Sequence, residues 1–306
     1  MKTVNKNIET KDFYQQITDQ IIAAMSQSTD WVMPWHGKTT GIPKNVATKK
    51  SYTGVNILAL WSAASDRGYS SPLWGTYKQW QSLGAQVRKG EKAQTIVFYK
   101  SFEQEAKNAA TGDQETGKED TVKRFILKAS TVFNADQVEG LEISKDEKEA
   151  VDVLFQLEKV EAFIAKIGAK ITYGSTSAFY QISDDLIAMP EQGKFIETET
   201  RSALEAYYGT LLHELGHWTG HQQRLNRIIP SSRFGSQSYA IEELVAELAS
   251  AFLCAELGVS AAPRQDHANY IANWLNVLKD DKRAIFYAAR QATVAVEYLN
   301  SLTQEK

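Results

Sequence analysis

The chain has 306 residues, 43% of them hydrophobic and 23% charged, with a net charge of −3 and one cysteine. That length accommodates about two domains of roughly 150 residues, each burying its own core, and the expected division is 1–140 and 141–306. Cys254 alone excludes an internal disulfide and a cysteine-based zinc cluster. The opening MKTVNKNIETKDFYQQ carries no apolar signal core, and no stretch approaches the roughly eighteen apolar residues of a membrane span, so a cytoplasmic protein with no membrane partner is expected.

In chain order, Phe13, Ile17, Ile21, Ile22 and Met25 recur at helical intervals and predict an amphipathic helix near 12–26. A Pro- and Gly-containing loop over 33–54 precedes helices near 55–66 and 76–83. Trp61 ends the helical run Val55, Ile57, Leu58, Leu60 and is expected to be packed, whereas Trp31 and Trp35 flank Pro34 in a loop-like segment where a ring is harder to bury. QTIVFYK (94–100) and RFILKASTVF (124–133) read as strands. Between them, 104–120 is polar and reads as a mobile hairpin tip or disordered insertion, and 139–149 is the best linker.

Charge is unevenly spread over this first half. Residues 31–100 hold ten Lys or Arg against only Asp66 and Glu91, and five of the seven tryptophans. Basic side chains track phosphates and exposed rings stack on unpaired bases, so Trp31, Trp35, Lys44, Lys49, Tyr52, Trp74, Lys78, Arg88 and Lys89 are candidate contacts to single-stranded DNA. The competing reading is that the tryptophans are core.

Beyond the linker come a helix near 148–167, short strands at 169–173, 178–182 and 186–189, and a long helix. Ser202 and Glu205 have capping-box spacing, and Leu204, Tyr207, Tyr208, Leu211, Leu212, Leu215 and Trp218 continue the helical period to Gly220. On it lies His213-Glu214-Leu215-Gly216-His217, an H-E-x-x-H pair. Four residues apart on a helix, His213 and His217 share a face and can reach one Zn2+, with Glu214 beside them as general base. Tyr207 and Tyr208 read as core. The next helix, about 239–257, has Ser238 as expected N-cap and Gly258 as its stop. It carries Glu242, Glu243, Glu247 and Glu256, and no Lys or Arg occurs between Arg233 and Arg264. Glu243 and Glu247 begin a stripe continued by Ser250 and Cys254, small residues that imply close packing, and two inward carboxylates call for a cation.

H-E-x-x-H followed by a helix bearing E-x-x-x-E resembles the gluzincin pattern. That resemblance implies Glu243 as third ligand and Glu247 as the partner fixing an imidazole tautomer. The reverse order, or Glu242 or His221 as ligand, stays open at this point. Zinc in such a site lowers the pKa of its water and polarises a scissile carbonyl while Glu214 takes and returns the proton; two imidazoles and a carboxylate also accept Mn2+. Tyr239 is a weak candidate for an oxyanion donor. Helices near 264–279 and 281–301 close the chain.

A wider resemblance covers the chain from about residue 10 to its end. The run Asn45, Thr48, Tyr52, Gly54, Asn56, Leu60, Trp61 is similar to a signature of ArdC-type antirestriction proteins. So are TYKQWQSLGAQVRKGEKA (76–93), VFNADQVEGL (132–141), DLIAMP, TLLHELGHWTGH, RLNR, FGSQSYAIEELVAELASAFL and NWLNVL. The resemblance implies an α+β protein: an N-terminal mixed helix/strand domain that binds single-stranded DNA, then a mostly helical zincin-like metallopeptidase domain with a small sheet. It adds Asn56 to the candidate DNA contacts. The expected function is antirestriction, with single-stranded DNA and a host protein substrate as partners, protecting incoming mobile-element DNA. The alternative is a non-catalytic coating protein with a structural metal.

Overall fold

The computed structural model describes residues 12–26, 41–105, 121–140, 153–198, 202–228, 236–259 and 267–304. The architecture is mixed α+β, with a C-terminal half built mainly of helices. Helix α1 (Phe13–Ser26) buries Ile17, Ile21 and Met25. Strand β1 (Lys44–Asn45) leads to α2 (Val55–Arg67), which ends at Gly68 in the left-handed conformation that glycine adopts freely. After β2 (Leu73–Gly75), α3 (Tyr77–Ser82) opens with a capping box between Thr76 and Gln79.

Strand β3 (Gln86–Val87) is followed by β4 (Gln94–Glu105) and β5 (Thr121–Asn134), which pair antiparallel from Gln94↔Val132 out to Glu105↔Thr121. The four-stranded sheet has the order β1-β2-β5-β4, and β3 pairs separately with β6 (Val138–Glu139). Both long strands extend past the expected 94–100 and 124–133, because cross-strand pairing continues where hydrophobic alternation has faded. The start of the expected polar insertion is thus strand; its 106–120 portion lies outside the described residues, as does 141–149 of the expected linker.

The second half contains α4 (Val153–Ile167) and a three-stranded sheet of β7 (Lys170–Tyr173), β8 (Phe179–Gln181) and β9 (Leu186–Met189), in the order β7-β9-β8. Then come α5 (Ala203–Thr219), α6 (Gln237–Leu257), α7 (His267–Asp280) and α8 (Ala284–Thr303). The N-cap of α6 is Ser236, whose hydroxyl accepts the Tyr239 N–H; the expected Ser238 sits inside the first turn. No helix among the described residues is long and apolar enough to cross a membrane.

One continuous core joins α1, α2 and Val97 of β4 to α4, β9 and the four C-terminal helices. Trp61 packs on Phe252 of α6 with ring centroids 5.7 Å apart. Two smaller clusters form around Trp80 and around Trp74. Burial corrects part of the nucleic-acid reading. Trp74 is 1% exposed and closed over by Leu60 and Val132, so it has no face for a base. Tyr52 is half-buried, accepts from the Asn45 amide and donates to the Trp74 carbonyl; burial pushes its phenol up. Asn56 spends its amide on both backbone groups of Val97, at 2.8 Å each, covering the edge of β4. Trp74 is therefore core, while Tyr52 and Asn56 are half-buried and spend polar groups on the backbone beside the sheet.

Lys44, Lys49, Lys78 and Lys89 are exposed. Arg88 pairs with Glu91 and donates to the Asp136 carbonyl, holding the 88–91 turn against the segment that links β5 to β6. Trp31 and Trp35 lie outside the described residues.

Candidate metal centre

Helix α5 begins as its sequence dictates: Ser202 accepts the Glu205 N–H and Glu205 reaches back to the Ser202 N–H. Leu211, Leu212 and Leu215 are almost completely buried, which fixes the helix in the core and turns His213 and His217 toward α6. Gly216, between them, lets the helices approach: a Cβ there would sit 3.0 Å from Ala246 Cα and 3.2 Å from its carbonyl oxygen. Ser250, further along α6, donates to the Gly209 carbonyl at 2.9 Å. The small-residue stripe therefore packs against α5 as its composition implies.

This close approach brings three side chains to one point. His213 Nε2 and His217 Nε2 each lie 3.5 Å from a different oxygen of Glu243. Ligand atoms of His213, His217 and Glu243 all fall within 4.8 Å of one another. Two imidazoles and one carboxylate are a donor set that fits a divalent cation with a position left for water.

The outward ring nitrogens face carboxylates as well. His213 Nδ1 is 3.5 Å from Glu247, and His217 Nδ1 is 3.2 Å from Glu242. Glu243 thus stands between the two Nε2 atoms, and Glu247 and Glu242 each face the Nδ1 of one histidine. Burial works against charge on His217, but Glu243 and Glu242 outweigh it and hold the imidazole up at about 10. For Glu243, burial is likewise outweighed by the two imidazoles, and its carboxyl stays well below the usual range.

The turn after α5 carries two arginines whose roles the sequence did not reveal. Arg227, whose side chain is only 3% exposed, forks onto both oxygens of Glu242 at 2.7 and 2.9 Å and donates to the Gly216 carbonyl. Burial would raise the Glu242 carboxyl; Arg227 and His217 overcome that and lower it. Gly220 permits this fold-back, since a Cβ there would meet Ile228 at 2.6 Å and Arg227 at 3.0 Å. Arg224 stacks 3.8 Å over Trp218 and grips Asp185 and Tyr180, tying the β8–β9 hairpin to the end of α5. The signal was the pair of arginines in RLNR just after the metal helix, but their partners are remote in sequence.

The site forms the floor of a cleft of about 650 Å³. Glu214, buried and next to His213 in sequence, lines it, with Phe179 and Tyr180 of β8 on one side and Tyr239, Ala284 and Tyr287 elsewhere on its wall. His221 stands apart from the three-residue cluster and accepts the Gln223 N–H through Nδ1. Tyr207 and Tyr208 are buried in the core, the latter donating to Glu161.

Residues 158–291 match the family model described as a zincin-like metallopeptidase, and residues 11–133 match that of the N-terminal domain of anti-restriction factor ArdC. The antirestriction protein ArdC of plasmid R388 has a metal-free crystal structure that superposes with a TM-score of 0.75 at 38% identity, covering 95% of this chain and 98% of that one. This chain belongs to the ArdC antirestriction family. The Mn(II)-bound structure of the same R388 protein gives a TM-score of 0.72, with 96% and 99% coverage.

Among sequence relatives, y4eC of Sinorhizobium fredii (strain NBRC 101917 / NGR234) is 43% identical over 293 residues, 95% of this chain and 92% of that protein. A DNA primase TraC of Escherichia coli is 36% identical over 312 residues, but this ArdC-family chain spans only 28% of its length.

Proposed function

We propose that this ArdC-family protein binds single-stranded DNA through residues 1–140 and carries, within 141–306, a divalent-metal peptidase centre. The two together protect entering mobile-element DNA from host restriction in the cytoplasm. The observation that carries the peptidase reading is the convergence of His213, His217 and Glu243 on the floor of a cleft that Glu214 also lines. His213, His217 and Glu243 would hold the metal, zinc by donor type, with Mn2+ as an acceptable substitute given the Mn(II)-bound relative. A cation held there supplies Lewis-acid polarisation of a substrate carbonyl and activation of water.

The protein side chains do the rest. Glu214 accepts a proton from the attacking water and returns it to the leaving amine. Glu242 and Glu247 orient the imidazoles through their Nδ1 atoms, and Arg227 balances the charge of Glu242. The cleft admits an extended segment of a protein substrate, which we take to be a host defence component acting on the entering strand. The DNA half of the reading is supported by the basic excess over residues 31–100, by the antirestriction family, and by the match of this chain to part of a DNA primase.

The test compares wild type with Glu214→Gln and His217→Ala for metal content, binding to single-stranded and duplex DNA, and protection of transferred DNA. The reading expects metal in wild type and in Glu214→Gln, its loss in His217→Ala, DNA binding in all three, and protection in wild type alone. Protection that survives Glu214→Gln with metal retained would overturn the peptidase mechanism and leave a coating protein with a structural metal.

A further inference from the structure

With Trp74 in the core and the polar groups of Tyr52 and Asn56 engaged by neighbouring backbone, a nucleic-acid surface calls for side chains that reach further into solvent. In the described part of the first half, the large aromatics that do so are Tyr77, Phe98 and Tyr99. Tyr77 accepts from the Gln86 amide, and the Tyr99 hydroxyl meets that of Tyr14 on α1 at 2.9 Å, so the polar groups of both rings are engaged within the protein. Phe98 points to the other face of the β4–β5 hairpin by strand alternation.

The composition of that face is distinctive. Its buried end, Gln94 opposite Val132, runs under the cluster of Leu60 and Trp74. Farther out, Phe98 stands opposite Lys128 and Lys100 opposite Ile126, and the ladder runs on to pair Phe102 with Arg124. Each of these successive pairs joins one apolar and one basic residue. Phe98 and Ile126 are each 47% exposed, Lys100 and Lys128 are exposed, and the same-face positions Gln94, Ile96, Phe98, Lys100, Ile126, Lys128, Ser130 and Val132 include no acid.

Phe98 and Ile126 leave apolar surface open beside two lysines, and a face built for a protein partner would be depleted of lysine at its centre. Alternating apolar and cationic positions suit a polyanion whose flat, apolar rings are free of a duplex. We propose that the outward face of the β4–β5 hairpin is the platform for single-stranded DNA, with a base on Phe98, its neighbour over Ile126, and phosphates at Lys100 and Lys128. The proposal rests on the reading of the protein as a single-strand binder and gives that reading its contact surface.

The test uses the full-length protein and fluorescence anisotropy with a labelled oligothymidylate, beside a labelled duplex, over a series of salt concentrations. Phe98→Ala should weaken single-strand binding by roughly fivefold to a hundredfold, the range for loss of one stacked base, with much less effect on the duplex. The double variant Lys100→Gln/Lys128→Gln should reduce the slope of log K against log salt by about 1.4, since each phosphate of a single strand that is no longer neutralised lowers it by about 0.7. Metal content serves as the check that each variant is folded, and the lysine variant, altered only at exposed positions, covers the case in which Phe98→Ala is not.

If wild type binds the oligonucleotide and both variants bind it equally well with unchanged slope, this face is not the platform, though the protein remains a single-strand binder. Equal losses on single strand and duplex would overturn stacking on unpaired bases. Failure of wild type to bind any single strand would overturn both the platform and the reading beneath it.

Discussion

Gly216→Ala tests whether the separation of α5 and α6 sets the metal centre. Added at Gly216, a Cβ lies 3.0 Å from Ala246 Cα, 3.2 Å from its carbonyl oxygen and 3.3 Å from its Cβ. Carbon atoms in good contact sit about 3.5 to 4.0 Å apart, and two of these three neighbours are backbone atoms that no rotamer change can move. The helices must part by about 0.5 Å, where metal–ligand distances tolerate about 0.2 Å. Glu243 lies one turn before Ala246 on the helix that is pushed away, and both histidines flank Gly216 on the helix that stays.

Helix propensity acts in the opposite direction, since alanine gains about 1 kcal/mol over glycine in a helix interior, against about 1 to 3 kcal/mol for overpacking. The expected result is metal-free stability lowered by no more than about 2 kcal/mol, with metal affinity reduced at least tenfold, the scale seen when support for a metal ligand is removed. Competition with a chromogenic chelator measures the affinity, and urea unfolding of the metal-free protein measures the stability. A variant that gains stability and keeps wild-type affinity would refute the argument that this approach positions the site.

Arg227→Gln leaves the buried Glu242 carboxylate without its fork and should cost about 3 to 5 kcal/mol in urea unfolding; a loss under 1 kcal/mol would mean that Glu242 is compensated elsewhere. Because His217 sits at about 10 in the metal-free pocket, metal uptake at neutral pH should release about one proton from it, read by calorimetry in buffers of different ionisation enthalpy. The same raised value means that its contribution to metal-free stability is complete below its ordinary value near 6.5 and disappears as pH rises through about 10. Asp185 is held low, chiefly by its hydrogen bonds from Arg224, so its clamp is intact above the ordinary carboxylate range and lost as pH falls through the lowered value. Amide exchange in the β8–β9 turn should accelerate in acid for wild type, and Asp185→Asn should show the faster exchange already at neutral pH. Ser236→Ala should destabilise by about 1 kcal/mol and Ser238→Ala by much less, a contrast that thermal melts will resolve.

The metal helices were legible because several local signals agreed over them. Ser202 with Glu205, the apolar period through Leu211, Leu212 and Leu215, and two histidines on one face each required the same helix. The start of α6 was ambiguous for a physical reason. Ser236 and Ser238 can both cap, and neither has a Glu or Gln three residues later to decide the register. Glu242 was hidden because its importance depends on Arg227, and that contact exists only once Gly220 lets the chain fold back over the end of α5. Among the tryptophans, Trp61 could be placed because it belongs to a long helical period. Trp74 lies in a three-residue strand with no period to read, and composition does not distinguish a ring that stacks on a base from one that fills a core. Phe98 was legible as part of a strand, but its outward position depends on the register of β4 with β5.

The proposed DNA surface and the candidate metal cleft share one folded body, and this governs how they can be separated experimentally. The Thr18 hydroxyl on α1 donates to the Lys282 carbonyl at 2.8 Å, Asp12 pairs with the Lys282 ammonium, and Tyr14 packs on Phe286 with centroids 4.6 Å apart. Those contacts fall on the α7–α8 turn and the start of α8, where Asp281, Ala284 and Tyr287 line the cleft. From the other side, Tyr14 meets Tyr99 of β4, and the Gly54 N–H at the head of α2 donates to Thr293 of α8. Cutting the chain near residue 140 would strip α1 and α2 from Phe252, Phe286 and Thr293 and expose the apolar face they cover. Loss of metal from an isolated 141–306 fragment would then report an opened core and give no information on whether DNA binding contributes to the chemistry. Exposed substitutions on the hairpin and a proton-transfer substitution such as Glu214→Gln leave that core intact, so they can assign protection to one surface, to the other, or to both acting in the same molecule.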